Sequence, residues 1–388
     1  MEIKAALITF ITLFWILFSL QVYIYIGYPL IIWVVARMRR REESSFDGDY
    51  CPFVTVIIPA RNEERVIERK LKNTISIDYP SEKMEIIVVS DGSTDSTESI
   101  VAKYKYRGVK LISLPERKGK TAAQNMAVEE SRGEILIFSD ANAFYAPDAV
   151  KNLVLHFKMQ DVGCVSGELS YVNPEGTTVG KEESIYWRYE KFIKRQEDSA
   201  GTILGANGSI YAVRRSDYVE LEEDIISDFI EPLEIVSSGK RVVYEPRAVS
   251  VEESSKAFKE EFLRKRRIIC RSLRSLCRHS HLFSPIRNRF LSFEIFSHKI
   301  LRWLSPLLFI LLFTVSAIQI RTHYVLFIFC LQLSFLLFAL VGRLLEDNSK
   351  LPGWFFVPYY ICLLGLASIV GIADFLRGKE ISTWDPIR

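Results

Sequence analysis

The chain has 388 residues, a hydrophobic content of 49% and a formal net charge of +3. That length allows two or three domains, and six scattered cysteines with no CxxC pair exclude a zinc- or disulfide-organised scaffold. The near-neutral balance conceals a segregation: long uncharged runs at both ends enclose a middle, about residues 50 to 280, of ordinary soluble composition.

In chain order, Ala5 to Ala36 is the first uncharged run, 32 residues long. It is too long for a signal-peptide apolar region and lacks a small-residue cleavage pattern, so it predicts an uncleaved membrane helix. As one helix it would measure about 48 Å against a hydrocarbon core of about 30 Å. Gly27-Tyr28-Pro29 offers a kink, with part of the run along the interface. Arg37, Arg39, Arg40 and Arg41 follow and predict a cytoplasmic middle domain. Residues 1–41 thus form an anchor with a basic flank.

Val54 to Pro59 reads as a strand buried on both faces. "ARNEERVIERKLKNTI" follows at helical spacing, then a strand over Met84 to Ser90, a helix over Asp95 to Tyr106 and a short strand over Val109 to Ser113. "GKTAAQNMAVEESRG" predicts a helix closed by Gly133, Glu134 to Ser139 a fourth strand, and a further helix starts near Pro147. Strand alternating with helix predicts an α/β domain with a mainly parallel sheet over residues 50–254. Ligands bind at the carboxyl ends of strands in such sheets. Those ends carry Pro59-Ala60-Arg61-Asn62-Glu63, Asp91 and Asp140-Ala141-Asn142. One polar tip alone is equally a turn or cap, but three in register point to a ligand, with Pro59, Arg61, Glu63, Asp91 and Asp140 as candidate contacts. Neither GxGxxG nor GxxxxGK[ST] occurs, so dinucleotide and P-loop sites are unsupported.

Residues 255–300 include the most basic stretch, "EEFLRKRRIICRSLRSLCRHS". Its position before the apolar runs favours an interfacial helix on anionic lipid over nucleic-acid binding. Trp303 to Ile320, Tyr324 to Gly342 and Leu351 to Ala373 predict a membrane bundle over residues 301–376, and Lys299 and Arg302 agree with a cytoplasmic entry. Three spans would put the basic tail 377–388, with Arg377, Lys379 and Arg388, outside; a re-entrant or interfacial segment among the three would resolve this, and Pro352 and Pro358 favour the last.

"VTVIIPARNEE", "IIVVSDGSTDST", "KGKTAAQNMA" and "ILIFSDANAFYAPDA" together resemble the family 2 glycosyltransferases with a GT-A fold, in the membrane-integrated subgroup related to cellulose, hyaluronan and poly-N-acetylglucosamine synthases. The resemblance implies that Asp91 contacts the base or ribose of a nucleotide sugar, with UDP the expected nucleotide, while Asp95 caps the next helix. It places Asp140-Ala141-Asn142 at the DxD motif, so Asp140 and Asn142 would hold Mg²⁺ or Mn²⁺ against the diphosphate; Asn142 replaces the commoner second acid with a neutral carbonyl. Asp148 reads as a helix-start residue. Arg117, Lys118 and Lys120, before a helix, suit a phosphate site.

The resemblance places the general base in "EEDIISDFIEPLEIVSSGKRVVYEP", at Asp228, with Asp224 the runner-up and Glu231 on the same helical face. In "GTILGANGSIYAVRR", Gly205, Asn207 and Gly208 would admit a sugar close to the backbone. Trp187 and Tyr189 either stack on sugar or pack a helix. Arg264 and Arg267 occupy the first and fourth places of the family's QxxRW motif, where Arg267 would reach the diphosphate; Ile268 replaces its Trp and puts processive polymer synthesis in doubt. The expected activity is an inverting, metal-dependent transfer from a UDP-sugar to a polysaccharide or lipid-linked acceptor at the cytoplasmic face of the cell membrane, giving a β-linkage. The alternatives are a non-catalytic assembly or export subunit, and transfer to a polyprenyl phosphate.

Overall fold

The computed structural model describes residues 2–39, 50–172, 178–253, 257–284, 286, 288–345 and 353–379. Arg40, Arg41, Pro352 and Arg388, which enter the topology argument above, lie outside them. The first helix, α1 (Glu2–Val22), passes through a π turn at Tyr23–Gly27 into α2 (Tyr28–Met38). The irregularity falls where Gly27-Tyr28-Pro29 predicts it. Pro29 has no amide to bond back one turn, and the Tyr25 carbonyl accepts instead from the Tyr189 hydroxyl at 3.0 Å.

The middle of the chain runs β1 (Val54–Ala60), α3 (Ile67–Ile75), β2 (Met84–Asp91), α4 (Thr97–Ala102), β3 (Val109–Leu114), α5 (Lys120–Glu129), β4 (Ile135–Phe138), β5 (Phe144–Tyr145), α6 (Ala149–Leu155), β6 (Val162–Val172), α7 (Thr178–Ala200), β7 (Tyr211–Arg214), α8 (Ser227–Ser237) and β8 (Arg241–Glu253). The eight strands form one sheet in the order β3-β2-β1-β4-β7-β6-β8-β5. The first four positions are parallel, β7 runs antiparallel between β4 and β6, and β5 is antiparallel to β8. Every residue of β1 is buried, as its unbroken apolar run requires of a strand covered on both faces. Registers Val54↔Met84 and Val54↔Ile135 bring the carboxyl ends of β1, β2 and β4 to one edge.

Helix α4 is shorter than its spacing predicts. Asp95 is spent on the turn before it, accepting from the Thr97 amide at 2.9 Å and hydroxyl at 2.5 Å, and a left-handed Gly108 closes the far side. Asp95 thus caps the helix start, as the sequence suggested.

Beyond the sheet come α9 (Phe258–Arg278), α10 (Arg289–Glu294), α11 (Leu301–Ile318), α12 (His323–Leu344) and α13 (Gly353–Leu376). Among the described residues, four helical segments are long and apolar enough to cross a membrane: Ile8–Met38, Arg289–Ile318, His323–Leu344 and Trp354–Leu376. The second starts at Arg289, before the expected boundary at 301, because a π turn at Ile295–Ile300 keeps α10 and α11 continuous. The last described segment is one helix that continues through Pro358. Helix α9 packs part of its apolar stripe on α13, while Leu263 and Ile268 stay exposed. Arg266 pairs with Asp374 of α13 at 2.5 Å, the Tyr360 hydroxyl donates to Glu261 at 3.0 Å, and Gly371 leaves space for the α9 backbone.

A buried chain of polar groups fastens the apolar helices to α7. Glu197 accepts from the Tyr28 hydroxyl at 2.6 Å and from His298 Nδ1 at 2.6 Å, and Arg302 pairs with Glu190 at 2.6 Å. Removing one partner strands the others away from water. Glu197→Ala is expected to cost about 3–5 kcal/mol, read as a lowered thermal midpoint in detergent.

Candidate active site

The edge begins with Asp91 at the end of β2. Its carboxylate accepts the Lys118 amide at 2.6 Å and the Gly119 amide at 3.0 Å. Arg61 donates to the Asp91 and Gly92 carbonyls at 2.8 and 3.3 Å. Gly92 turns with φ +61°, and a side chain there would press on the Arg117 backbone. Asn62, also left-handed at φ +52°, accepts the Thr94 amide at 2.8 Å. The loops after β1 and β2 and the loop before α5 are therefore one interlocked unit. Both Asp91 oxygens are engaged in it, so Asp91 shapes the loop that a nucleotide would meet.

That loop delivers Lys120 at the first turn of α5. Lys120 Nζ lies 2.5 Å from Asp140 Oδ1 and 3.3 Å from the Gly208 carbonyl. A side chain on Gly208 would overlap the Asp228 carboxylate and touch Lys120 Nζ at 3.0 Å. Asp140, Lys120, Gly208 and Asp228, from four separate segments, thus meet at one point. The side chains of Lys120 and Asp140 are 20% and 26% exposed, so the point is open to a ligand.

The polar face of α5 holds the segment leading to Asp228 in place. Thr121 donates to the Ile225 carbonyl at 2.7 Å, Asn125 to the Leu221 carbonyl at 2.7 Å, and Ser227 to Gln124 at 2.5 Å. "KGKTAAQNMA" is therefore one device: its lysine faces the acids, and its next polar residues fix the loop that ends at Asp228. From the other side, Arg271 of α9 donates to the Asp224 and Ile225 carbonyls at 3.1 and 3.2 Å. Asp228 also anchors the loop around Ala206, its carbonyl accepting the Ala206 amide at 2.7 Å.

Burial raises the Asp228 carboxyl above its ordinary range; Lys120 opposes this, Asp140 adds to it and Arg271 opposes it. Burial by itself would lower the Lys120 ammonium, but Asp140 and Asp228 outweigh it and raise it. The result is a firmly charged lysine between two acids, one of them held more basic than a free carboxylate. Glu231, a turn beyond Asp228, is fully buried and makes no hydrogen bond to it. Burial pushes Glu231 up to about 8, opposed by Tyr211 and the Val219 amide and helped by Asp228. Its folded pKa thus lies above its unfolded value of about 4.3. The stability it contributes is full below that value and lost as pH rises through about 8. Glu231→Gln is expected to flatten the decline in thermal midpoint between about pH 4.3 and 8, checked by thermal melts across that range.

The sequence-chosen residues separate into groups. Asp140, Lys120 and Asp228 form the point itself. Arg61 and Asp91 build the adjoining loop, while Pro59 and Glu63 are buried at its base. Asn207 is held by its own contacts, donating to the Gly167 carbonyl at 2.6 Å and accepting Lys194 Nζ at 3.1 Å. Asn142 follows Asp140 on the same turn, partly exposed. Arg264 pairs with Glu261 and donates to the Tyr171 hydroxyl at 2.8 Å. Arg267 stands one helical turn before Arg271 on α9, and Arg271 is the one that braces the Asp224–Ile225 segment. Asp224, the alternative base, pairs with Arg278 at 2.5 Å. Tyr189 packs on Arg302 and donates to Tyr25, so it is a packing aromatic, and Trp187 lies against Tyr171 and Lys265.

Two residues went unrecognised in the sequence, Arg271 and Lys70. Arg271 is one of eight basic residues on one helix. Lys70 of α3 is fully buried and donates to Ser139 Oγ at 2.6 Å and the Ala143 carbonyl at 2.5 Å, the two sides of the Asp140 turn.

Residues 55–221 match the family model Glycosyl transferase family 2. The chain is 29% identical over 186 residues to the beta-monoglucosyldiacylglycerol synthase of Nostoc sp., covering 47% of this chain and 40% of that protein. It is 26% identical over 247 residues to the poly-beta-1,6-N-acetyl-D-glucosamine synthase of Staphylococcus aureus, covering 62% of this chain and 57% of that protein. It spans about half the length of the curated relatives it matches. Among solved structures, the mannosyltransferase PcManGT from Pyrobaculum calidifontis, in complex with GDP-Man and Mn²⁺, shares the fold over 95% of this chain and 100% of its own, with a TM-score of 0.69 at 23% identity. The likeness therefore extends from the sheet into the apolar helices. Residues 55–221 form a family 2 glycosyltransferase domain, and the sheet that they help build has the GT-A fold.

Proposed function

We propose that this chain is an inverting, metal-dependent glycosyltransferase that moves a sugar from a nucleotide sugar, UDP-linked by resemblance, to a lipid-linked or glycan acceptor, forming a β-linkage. The observation that carries this is the meeting of Asp140 and Asp228 across Lys120 at the carboxyl edge of the sheet. Asp228 takes the proton of the acceptor hydroxyl as that oxygen attacks the anomeric carbon. The bond from that carbon to the diphosphate breaks, and its electron pair leaves with the diphosphate. Lys120, charged and partly exposed, lies where the departing phosphates would collect.

The donor set suits a Mg²⁺ or Mn²⁺ ion only together with substrate. Among the described residues no three His, Cys, Asp or Glu side chains cluster as metal ligands, so Asp140 and Asn142 would supply two oxygens and the diphosphate the rest. Such sharing is the usual habit of Mg²⁺ at phosphate sites. When bound, the cation offsets the charge that builds on the leaving group. Arg37 and Arg39 after the first apolar segment, and Lys299 and Arg302 in the second, support a catalytic domain on the cytoplasmic side of the plasma membrane. The likeness to a glycolipid synthase supports a lipid acceptor.

The test is purified protein in detergent, offered UDP- and GDP-sugars with Mg²⁺ or Mn²⁺ and membrane lipid extract. Release of nucleoside diphosphate with label entering the lipid fraction is expected. No release from any donor, with either metal, overturns the proposal.

A further inference from the structure

Helix α3 faces the Asp140 turn with two side chains one helical turn apart. Lys70 Nζ reaches Ser139 Oγ at 2.6 Å and the Ala143 carbonyl at 2.5 Å, bracketing Asp140, Ala141 and Asn142, and lies over the Tyr145 ring at 4.2 Å. Asn73 takes both backbone groups of Tyr145, donating to its carbonyl at 2.9 Å and accepting its amide at 2.8 Å. The Tyr145 hydroxyl returns to the Phe138 carbonyl at 3.0 Å, on the strand that leads into the turn. The far side of the segment is paired to β8 through Phe144↔Val251 and Tyr145↔Ser250. The turn holding Asp140 is thereby closed at both ends by one helix.

A packing role alone does not account for a lysine here. An ammonium with no exposed surface carries a desolvation cost of several kcal/mol, and a neutral side chain could fill the same space. Burial pulls Lys70 down to about 7, opposed by Asp140 and then Glu252; through Ser139 and Ala143 it adjoins the acid that faces the ligand without occupying the ligand's place.

We propose that Lys70 and Asn73 are positioning residues that set the Asp140–Asn142 turn for a divalent cation and a nucleoside diphosphate bound together. The proposal rests on the reading of that turn given under Proposed function. Two variants test it in the full-length protein in detergent. Asn73→Ala removes both bonds to Tyr145 without changing charge, and Lys70→Met removes the ammonium while keeping length. Mn²⁺-dependent UDP binding is measured by calorimetry and by electron paramagnetic resonance of free Mn²⁺. Groups one step behind a metal ligand change its affinity by about 10–100-fold, so a weakening of that size is expected for each variant. The KM for the nucleotide sugar should rise with it, while the KM for the acceptor stays unchanged.

Thermal midpoints identify folded variants, and if Lys70→Met does not fold, Asn73→Ala decides alone. Folded variants with unaltered or tighter Mn²⁺-dependent UDP binding overturn this proposal by itself. Wild-type protein that binds no UDP with Mn²⁺ overturns the reading of the turn, and this proposal with it.

Discussion

Asp228→Asn is expected to lower turnover by about 10²–10⁴-fold, the usual contribution of a positioned general base, with nucleotide affinity little changed. Asparagine keeps the size and leaves the backbone anchors of the loop intact: the Asp228 carbonyl still takes the Ala206 amide, and Thr121 and Arg271 still hold Ile225. What is lost is a carboxylate whose proton affinity burial has raised. The same shift gives a pH signature. In the wild type the acid limb of kcat/KM should lie above the ordinary aspartate range, because protonated Asp228 cannot accept the acceptor's proton. Steady-state rates across pH, beside UDP binding by calorimetry, check both statements. Full activity of Asp228→Asn with an acceptor bearing its own anion would favour transfer to a polyprenyl phosphate. Normal UDP binding and full complementation of a deletion by this variant would favour the non-catalytic subunit.

The second large effect is expected from Asp140→Ala. It removes the one carboxylate on the turn and leaves Lys120 with the Gly208 carbonyl and Asp228. Two consequences combine. On the proposed mechanism the cation and diphosphate would lose their negative protein ligand, and Lys120 would turn wholly to Asp228, lowering its basicity. Loss of one preorganised group at a developing charge costs about 10²–10³-fold in rate. Here the loss should appear in the KM for nucleotide sugar and in Mn²⁺-dependent UDP binding as well as in kcat. The fold should survive, because Lys70 and Asn73 hold the turn through Ser139, Ala143 and Tyr145 and not through residue 140. A thermal midpoint near that of wild type, with UDP binding no longer dependent on Mn²⁺, is the expected pair of results.

The comparison of Asp91 with Asp228 shows how far spacing carries. Both are acids at the start or end of an element, and motif order picks out both. In the fold, Asp91 spends its carboxylate on two backbone amides. Asp228 faces Lys120 and an opening beside Gly208, where any larger residue would displace it. The difference depends on how the chain closes around each, and no local pattern encodes it. Lys70 carries the same lesson in reverse. In sequence it is one more polar residue on an amphipathic helix, and only the docking of α3 against the β4–β5 turn buries it.

The sequence alone determined the alternation of strand and helix, the three polar strand tips, the family and the apolar segments, because each follows from local periodicity or from residues close in the chain. Tertiary structure decided which acids meet, that α9 rests on α13, that α10 and α11 run on as one helix, and which basic residues stand beside the acids. Those outcomes depend on contacts between segments up to a hundred residues or more apart, such as Arg266 with Asp374 and Lys120 with Gly208. Their energies come from burial and geometry that exist only once the elements have packed.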